Sequence, residues 1–185
     1  ILGQPPISER LLARMTALRA VLNVESNLLA NMPYPRLFER GIHVLTTGAV
    51  FAMPVAELGL GLALDLARGI TEADLAFREG REAWGGEGNS AARPLSGSEL
   101  GLVGFGDLGR ALRRVLTGFN ATIRVYDPWL PPSLLREQGV IPAPLDTVLE
   151  SSDTIFVVAA VTSENRHFLG AEAFAKKRRG PGLVV

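Results

Sequence analysis

Ser98-Glu99-Leu100-Gly101-Leu102-Val103-Gly104-Phe105-Gly106-Asp107-Leu108-Gly109-Arg110, running on to Arg124-Val125-Tyr126-Asp127, reads as a strand, a Gly-x-Gly-x-x-Gly turn, a helix, a second strand and a terminal acid. The first strand, Leu100 to Val103, ends at Gly104. The helix behind the turn carries Leu108, Ala111, Leu112, Val115 and Leu116 at helical spacing on one face. Each glycine has a separate task. Gly104 permits the tight turn, Gly106 removes a side chain where a pyrophosphate must approach the backbone, and Gly109 lets helix and strand pack closely. The start of the helix, at Asp107 and Leu108, offers N–H groups to phosphate oxygens.

Asp127 closes the strand Thr122 to Tyr126, eighteen residues past Gly109. A dinucleotide unit needs an acid about twenty residues on, to accept hydrogen bonds from the adenosine ribose. A carboxylate there also repels the additional phosphate of NADP, so NAD is the expected cofactor. A plainer reading treats the glycines as an ordinary strand-to-helix turn and Asp127 as the opener of an Asp-Pro-Trp loop. The agreement of strand, helix, strand and acid favours the nucleotide.

Working outward, the first forty-seven residues read as a small α/β piece. Ser8 suits a helix N-cap ahead of Leu11, Leu12, Met15 and Leu18, and a strand follows at Ala20 to Val24. Met32-Pro33-Tyr34-Pro35 breaks the chain before a short helix near Arg36 to Glu39, which Gly41 ends, and Ile42 to Leu45 forms another strand. A long helix is expected over Met53 to Arg68, with Pro54 in its first turn. Gly59 and Gly61 each cost it about 1 kcal/mol against alanine, which suggests a helix buried or facing another subunit. A further helix, Thr71 to Glu82 with Thr71 as its cap, leads to a surface loop over 85–98. Beyond Asp127 the pattern predicts helices from Pro131 through Glu137, over Leu145 to Leu149 and over Ala171 to Lys177. Strands are expected at Thr154 to Ala159 and from Leu183. Alternating β and α elements point to a doubly wound parallel sheet.

Composition narrows the function classes. The 185 residues are 47% hydrophobic, enough for one full domain and part of another. Nineteen basic residues balance nineteen acidic ones, so no net field draws the chain to nucleic acid or an anionic membrane. Lys176 to Arg179 reads as a solvated helix end whose cations suit the helix dipole. The absence of cysteine excludes disulfides, thiolate metal sites and a cysteine nucleophile, and fits a cytoplasmic protein; no metal site is expected. The apolar run Val55 to Ala67, interrupted by Glu57 and Asp65, is shorter than the roughly twenty residues that span a bilayer, and no signal peptide is visible. The chain opens without a methionine and stops on Leu183-Val184-Val185, and both ends read as cut.

Gly-Ile-His-Val-Leu-Thr (41–46) leading into Val-Ala-Glu (55–57), the glycine motif at 101–110, Val-Tyr-Asp-Pro (125–128) and the segment 162–169 together resemble the D-isomer-specific 2-hydroxyacid dehydrogenases. This is the group of phosphoglycerate dehydrogenase, glyoxylate/hydroxypyruvate reductase and D-lactate dehydrogenase, and the resemblance covers nearly the whole chain. It implies a Rossmann NAD-binding domain (48–185), incomplete at its C-terminus, and part of a flavodoxin-like substrate domain (1–47). It also implies a homodimer through the helix 53–68 and a small 2-hydroxy or 2-oxo acid as substrate. By position, backbone N–H groups of Ser26, Asn27 and Leu28 would take the substrate carboxylate, although the family's usual glycines are missing there. Gly104, Gly106, Asp107, Leu108, Gly109 and Asp127 would hold the dinucleotide, and Ala159, Ala160 and Asn165 would line its adenosine side. The family's catalytic arginine, glutamate and histidine are expected past Val185, so no catalytic residue is assigned within the chain. His43, inside a strand, and His167 are not candidates. Two other functions stay open: an NAD-binding sensor or corepressor without turnover, and a βαβ unit serving another nucleotide such as S-adenosylmethionine.

Overall fold

The Ser8 hydroxyl accepts the Leu11 N–H at 3.2 Å and so starts helix α1 (Glu9–Arg14), as its place ahead of a helical pattern predicts. The computed structural model describes residues 6–24, 30–162, 165–177, 183 and 184. Strand β1 (Ala20–Asn23), helix α2 (Tyr34–Glu39) and strand β2 (His43–Thr46) follow, with β1 and β2 pairing in parallel from Ala20 opposite His43 to Asn23 opposite Thr46. Leu37 of α2 and Val21 of β1 are fully buried, and with Ile7, Leu12, Met32 and Ile42 they make a small separate core. Arg40 ties α2 to α1 by donating to the carbonyls of Leu12 and Met15, each at 2.7 Å.

Helix α3 (Gly48–Arg68) is longer than the sequence pattern suggests. It begins five residues before Met53, so Pro54 lies inside it and not in the first turn. A proline there removes one i→i−4 hydrogen bond and leaves the remainder of the helix intact. Its 21 residues reach the length and apolarity of a bilayer span, which the shorter run Val55 to Ala67 does not. Here, however, one side of α3 belongs to the interior: Ala52, Ala56, Gly59 and Ala63 are buried. A β-carbon on Gly59 would stand 3.4 Å from a Leu112 methyl and 3.8 Å from the Phe156 ring.

The chain then turns at Gly69, at φ +63°, into helix α4 (Ile70–Arg78). Thr71 is not the cap of α4 but sits in its first turn, donating both its N–H and its hydroxyl to the Asp65 carboxylate at 2.6 and 2.8 Å. The helix ends four residues short of Glu82. Gly80 is left-handed, Arg81 N–H reaches back to Ala76 O and Gly80 N–H to Phe77 O, a reciprocal closure that stops the last turn. Within the expected loop, α5 (Gly85–Gly88) is a single exposed turn.

Strands β3 (Glu99–Val103), β4 (Thr122–Tyr126), β5 (Ile141–Pro142), β6 (Thr154–Val157) and β7 (Leu183–Val184) form one five-stranded parallel sheet in the order β5-β4-β3-β6-β7. The connections are α6 (Asp107–Val115) with a 3₁₀ turn at Thr117–Phe119, α7 (Pro132–Glu137), α8 (Leu145–Ser151) and α9 (Ala171–Ala175). Side chains alternate across the sheet, as the strand repeat requires. Leu100, Leu102 and Phe156 enter the core shared with α3 and α6, whereas Val103 and Ile155 enter the opposite core under α8. Gly101 faces that second core where a β-carbon would stand 2.6 Å from Ser152 Oγ and 2.7 Å from a Val148 methyl. Two covered faces and a parallel ladder make this the doubly wound fold that the sequence predicts. Strand β6 is shorter than expected, ending at Val157, after which Val158 and Ala159 leave the ladder for the loop beside Gly104.

Candidate nucleotide site

The strand order places β4 and β6 on either side of β3. The chain path therefore reverses between β3 and β6, and the crevice above their C-terminal ends is where doubly wound sheets bind ligands. The registers end together: Val103 lies opposite Tyr126 on one side and Val157 on the other. Three loops consequently meet at that point, after Val103, Tyr126 and Val157.

Gly104 has no room for any other residue. Its φ is +98°, its N–H donates to Tyr126 O at 2.8 Å, and a β-carbon would come within 2.8 Å of the Ala159 backbone. Gly109 is equally constrained, since a β-carbon there would lie 2.7 Å from Gly104 O. Gly106 is the opposite case. It is the N-cap of α6, and a β-carbon on it would meet nothing within 4 Å. Gly106 has no side chain to cap α6, and among the described residues no side chain accepts from the N–H groups of Asp107 and Leu108. Open space over Gly106 beside an uncapped helix start fits a phosphate-bearing ligand.

Asp127 joins two of the three loops. Its Oδ2 accepts Phe105 N–H at 2.8 Å, and its Oδ1 accepts Trp129 N–H at 2.9 Å and Leu130 N–H at 3.3 Å. The carboxylate thus fixes the glycine turn and its own Asp-Pro-Trp-Leu turn together. Two carboxylate oxygens offer about four acceptor positions, so capacity remains for a hydroxyl donor.

A cleft of about 1210 Å³ opens at this junction. Gly104, Gly106, Asp107, Leu108 and Asp127 line it, and so do Ala159, Ala160 and Asn165 from beyond β6. Gly109 lies behind them, packed on Gly104. Asn165 contributes backbone shape more than a free amide: its Oδ1 accepts Thr162 N–H at 2.7 Å and its Nδ2 donates to Ala160 O at 2.8 Å. Ser26, Asn27 and Leu28 lie outside the described residues. Val24, just past β1, and Thr46, the last residue of β2, do line the cleft. His43 is exposed on β2, and His167 is exposed at φ +62°. Among the described residues no group of three or more histidine or acidic side chains could hold a metal ion.

Sequence reasoning passes over four large side chains of this cleft: Phe51 and Val55 of α3, Trp129 and Phe168. Phe51 and Val55 stand one helical turn apart, and Trp129 follows Asp-Pro directly. Those spacings were the available signals, but without the fold they could not be told from core or surface positions.

A parallel sheet of this order, with a glycine turn at its switch point and an acid on the neighbouring strand, is a Rossmann dinucleotide-binding domain. The chain belongs to the D-isomer specific 2-hydroxyacid dehydrogenases, whose NAD-binding domain matches residues 60–184, and NAD is the cofactor of that domain. A hydroxypyruvate reductase of Thermotoga maritima is 35% identical over 156 residues, covering 84% of this chain and 49% of the relative. The D-3-phosphoglycerate dehydrogenase of Bacillus subtilis is 27% identical over 181 residues, 96% of this chain and 33% of that protein. Among solved structures, a phosphoglycerate oxidoreductase from Rhizobium etli superposes with a TM-score of 0.82 at 66% identity, covering 99% of this chain and 55% of that one. A D-lactate dehydrogenase from Aquifex aeolicus, solved with NAD and lactic acid, shares the fold at 23% identity and a TM-score of 0.79, over 96% of this chain and 52% of its own. The chain spans about half the length of the reductases it matches.

Proposed function

We propose that this chain is the cofactor-holding part of an NAD-dependent oxidoreductase that transfers a hydride between the nicotinamide and a small 2-hydroxy or 2-oxo acid. The observation that carries the reading is the junction at Asp127. One carboxylate braces the glycine turn while facing the cleft beside an open, uncapped helix start. NAD supplies the hydride acceptor or donor when bound. The residues of this chain hold and orient it. First-turn N–H groups at Asp107 and Leu108 take the pyrophosphate over Gly106, Asp127 accepts from the adenosine ribose, and Ala159, Ala160 and the Asn165-braced loop form the wall beyond β6.

Residues 1–47 belong to the substrate domain in this reading, and 48–185 to the nucleotide domain. Its support is that Val24 and Thr46, at the ends of β1 and β2, line the same cleft as the glycine turn. Backbone N–H groups in the loop after β1, at Ser26, Asn27 and Leu28, would then face the acid's carboxylate. The acid/base side chains are proposed to lie in the part of the relatives' length that this chain does not span. The protein is proposed to be cytoplasmic, and to pair with a second copy through the exposed side of α3. There Leu58, Leu62 and Leu66 are left in water at 62, 42 and 48% of their full accessibility. A continuous stripe of that kind marks an association surface.

The test is turnover by the intact protein. With NADH and glyoxylate, hydroxypyruvate or a related 2-oxo acid, absorbance of the reduced nicotinamide should fall, and NADPH should serve at least tenfold less well because Asp127 repels the added phosphate. NADH binding without consumption across the series would overturn the enzymatic reading.

A further inference from the structure

Among the described residues that line the cleft there is no lysine, arginine or histidine. Its charged side chains are two carboxylates, Asp107 and Asp127, although the ligand that the site fits carries a pyrophosphate. The two acids are employed differently. Asp127 accepts three backbone N–H groups and holds two loops together. Asp107 is exposed in the first turn of α6, and among the described residues no hydrogen bond or ion pair engages its carboxylate. Arg110, one turn further along α6, stands at a spacing that permits an ion pair but makes none with it. What favours an acid at that position is the helix itself, whose N-terminal end carries roughly half a positive charge. When no ligand is bound, Asp107 is the charge that answers it.

We infer that the Asp107 side chain opposes the pyrophosphate and so limits how tightly the cofactor is held, while the N–H of the same residue receives it. The inference rests on the NAD reading and deepens it. A pyrophosphate over Gly106 and the Asp107 carboxylate compete for one helix end, and no cation among the described lining residues neutralises either. The phosphates are consequently gripped by N–H geometry against a like charge. The side chain that steadies the free helix weakens the complex. Asp127 cannot take the same role, since its carboxylate is committed to three N–H donors and to the ribose. The effect depends on charge and not on shape: a neutral asparagine of the same size relieves it, and a glutamate of the same charge keeps it. Two like unit charges close together in water repel by an amount equal to about a fivefold change in affinity, and salt screens that repulsion.

The experiment uses the intact protein and titration calorimetry. Asp107→Asn should bind NADH and ADP-ribose about fivefold more tightly than the parent at low salt. That advantage should shrink toward nothing at about 1 M salt, where the screening length is about 3 Å. Asp107→Glu should bind like the parent, and adenosine, which has no phosphate, should bind all three proteins alike. Thermal melting should move the other way: without ligand, Asp107→Asn should melt up to about 2 °C below the parent, because the helix loses the charge that complements its dipole. A carboxylate with a structural role alone would lower stability and affinity together. An Asp107→Asn variant no tighter than the parent, or a gain that salt leaves unchanged, would overturn the inference and leave the NAD reading standing. So would an affinity that rises with Mg²⁺ at fixed ionic strength only while Asp107 is present, because the carboxylate would then be recruiting a cation to the pyrophosphate. Failure of the parent to bind NADH at all would overturn both.

Discussion

The two sheets of this molecule bury themselves to different degrees. Strands β3 and β6 are covered on both faces, by α3 and α6 on one side and by α8 on the other, and their side chains are almost wholly buried. Strands β1 and β2 are covered on one face only. Val21 is buried under the small N-terminal core, whereas Leu22 and Leu45, paired in register on the other face, are exposed. Both units use the same parallel pairing and helix capping. The nucleotide unit adds backbone-to-backbone contacts so close that single hydrogen atoms decide them, and the N-terminal unit relies on a few apolar side chains. One is fixed by steric exclusion and the other by modest burial.

Gly104→Val is the largest expected break in that contrast. A β-carbon there meets the Ala159 backbone at 2.8 Å with φ at +98°, and the glycine turn cannot retreat without releasing Phe105 N–H from Asp127. Overpacking and strain together should exceed about 4 kcal/mol, comparable with the whole stability of a domain. Denaturant unfolding should find no folded baseline. A variant melting within a few degrees of the parent would mean that the two loops yield more readily than their hydrogen bonds suggest.

Leu37→Ala probes the other unit. Leu37 is fully buried in a core of six residues. Its truncation should cost about 2–4 kcal/mol, concentrated in residues 6–47. Limited proteolysis should cut that segment first while NADH binding to the nucleotide unit persists. Simultaneous loss of both would show that the two cores unfold as one.

A smaller effect separates site from fold within the nucleotide unit itself. Gly106→Ala adds a β-carbon into open space, so stability should change by about 1 kcal/mol or less. The same methyl would occupy the approach of the pyrophosphate, and NADH affinity should fall at least tenfold, or about 1.4 kcal/mol. Calorimetry beside thermal melting distinguishes the two, and unchanged affinity would move the phosphate away from this helix start.

The nucleotide unit was legible in sequence because its constraints are local. The apolar run Leu100 to Val103, the three glycines and Asp127 each answer to sterics or hydrogen bonding within a few residues. Elements set by pairing or distant closure were not legible. Strand β5 has two residues, too few for any period, and exists because Arg124 and Val125 offer it an edge. The end of α4 was hidden because Arg81 and Glu82 continue a helical charge pattern through Gly80. Pro54 pointed to a late start for α3 because a first-turn proline is the commoner arrangement. Cleft positions such as Phe51 and Trp129 depend on which elements converge, which periodicity does not encode. Asn165 lines the cleft where the resemblance puts it, and only the fold shows that its amide is spent on Thr162 and Ala160.

The least effect is expected where α3 passes into α4, and it can be read from pH. Asp65 accepts the Thr71 N–H and then the Thr71 hydroxyl, and these bonds hold its carboxyl below the ordinary carboxylate range. A depressed folded-state value means that the unfolded chain takes up this proton first as acid is added. The contribution to stability is therefore complete above the ordinary carboxylate range and disappears as pH falls through the lower, folded-state value. Exposure of the group to solvent keeps that contribution small. Asp65→Asn can still accept one Thr71 bond but cannot titrate. Its melting temperature should start slightly below the parent's at neutral pH, and the gap should narrow as the solution becomes acid. Parallel curves through the acid range would show that the Gly69 turn, at φ +63°, joins the two helices without help from this carboxylate.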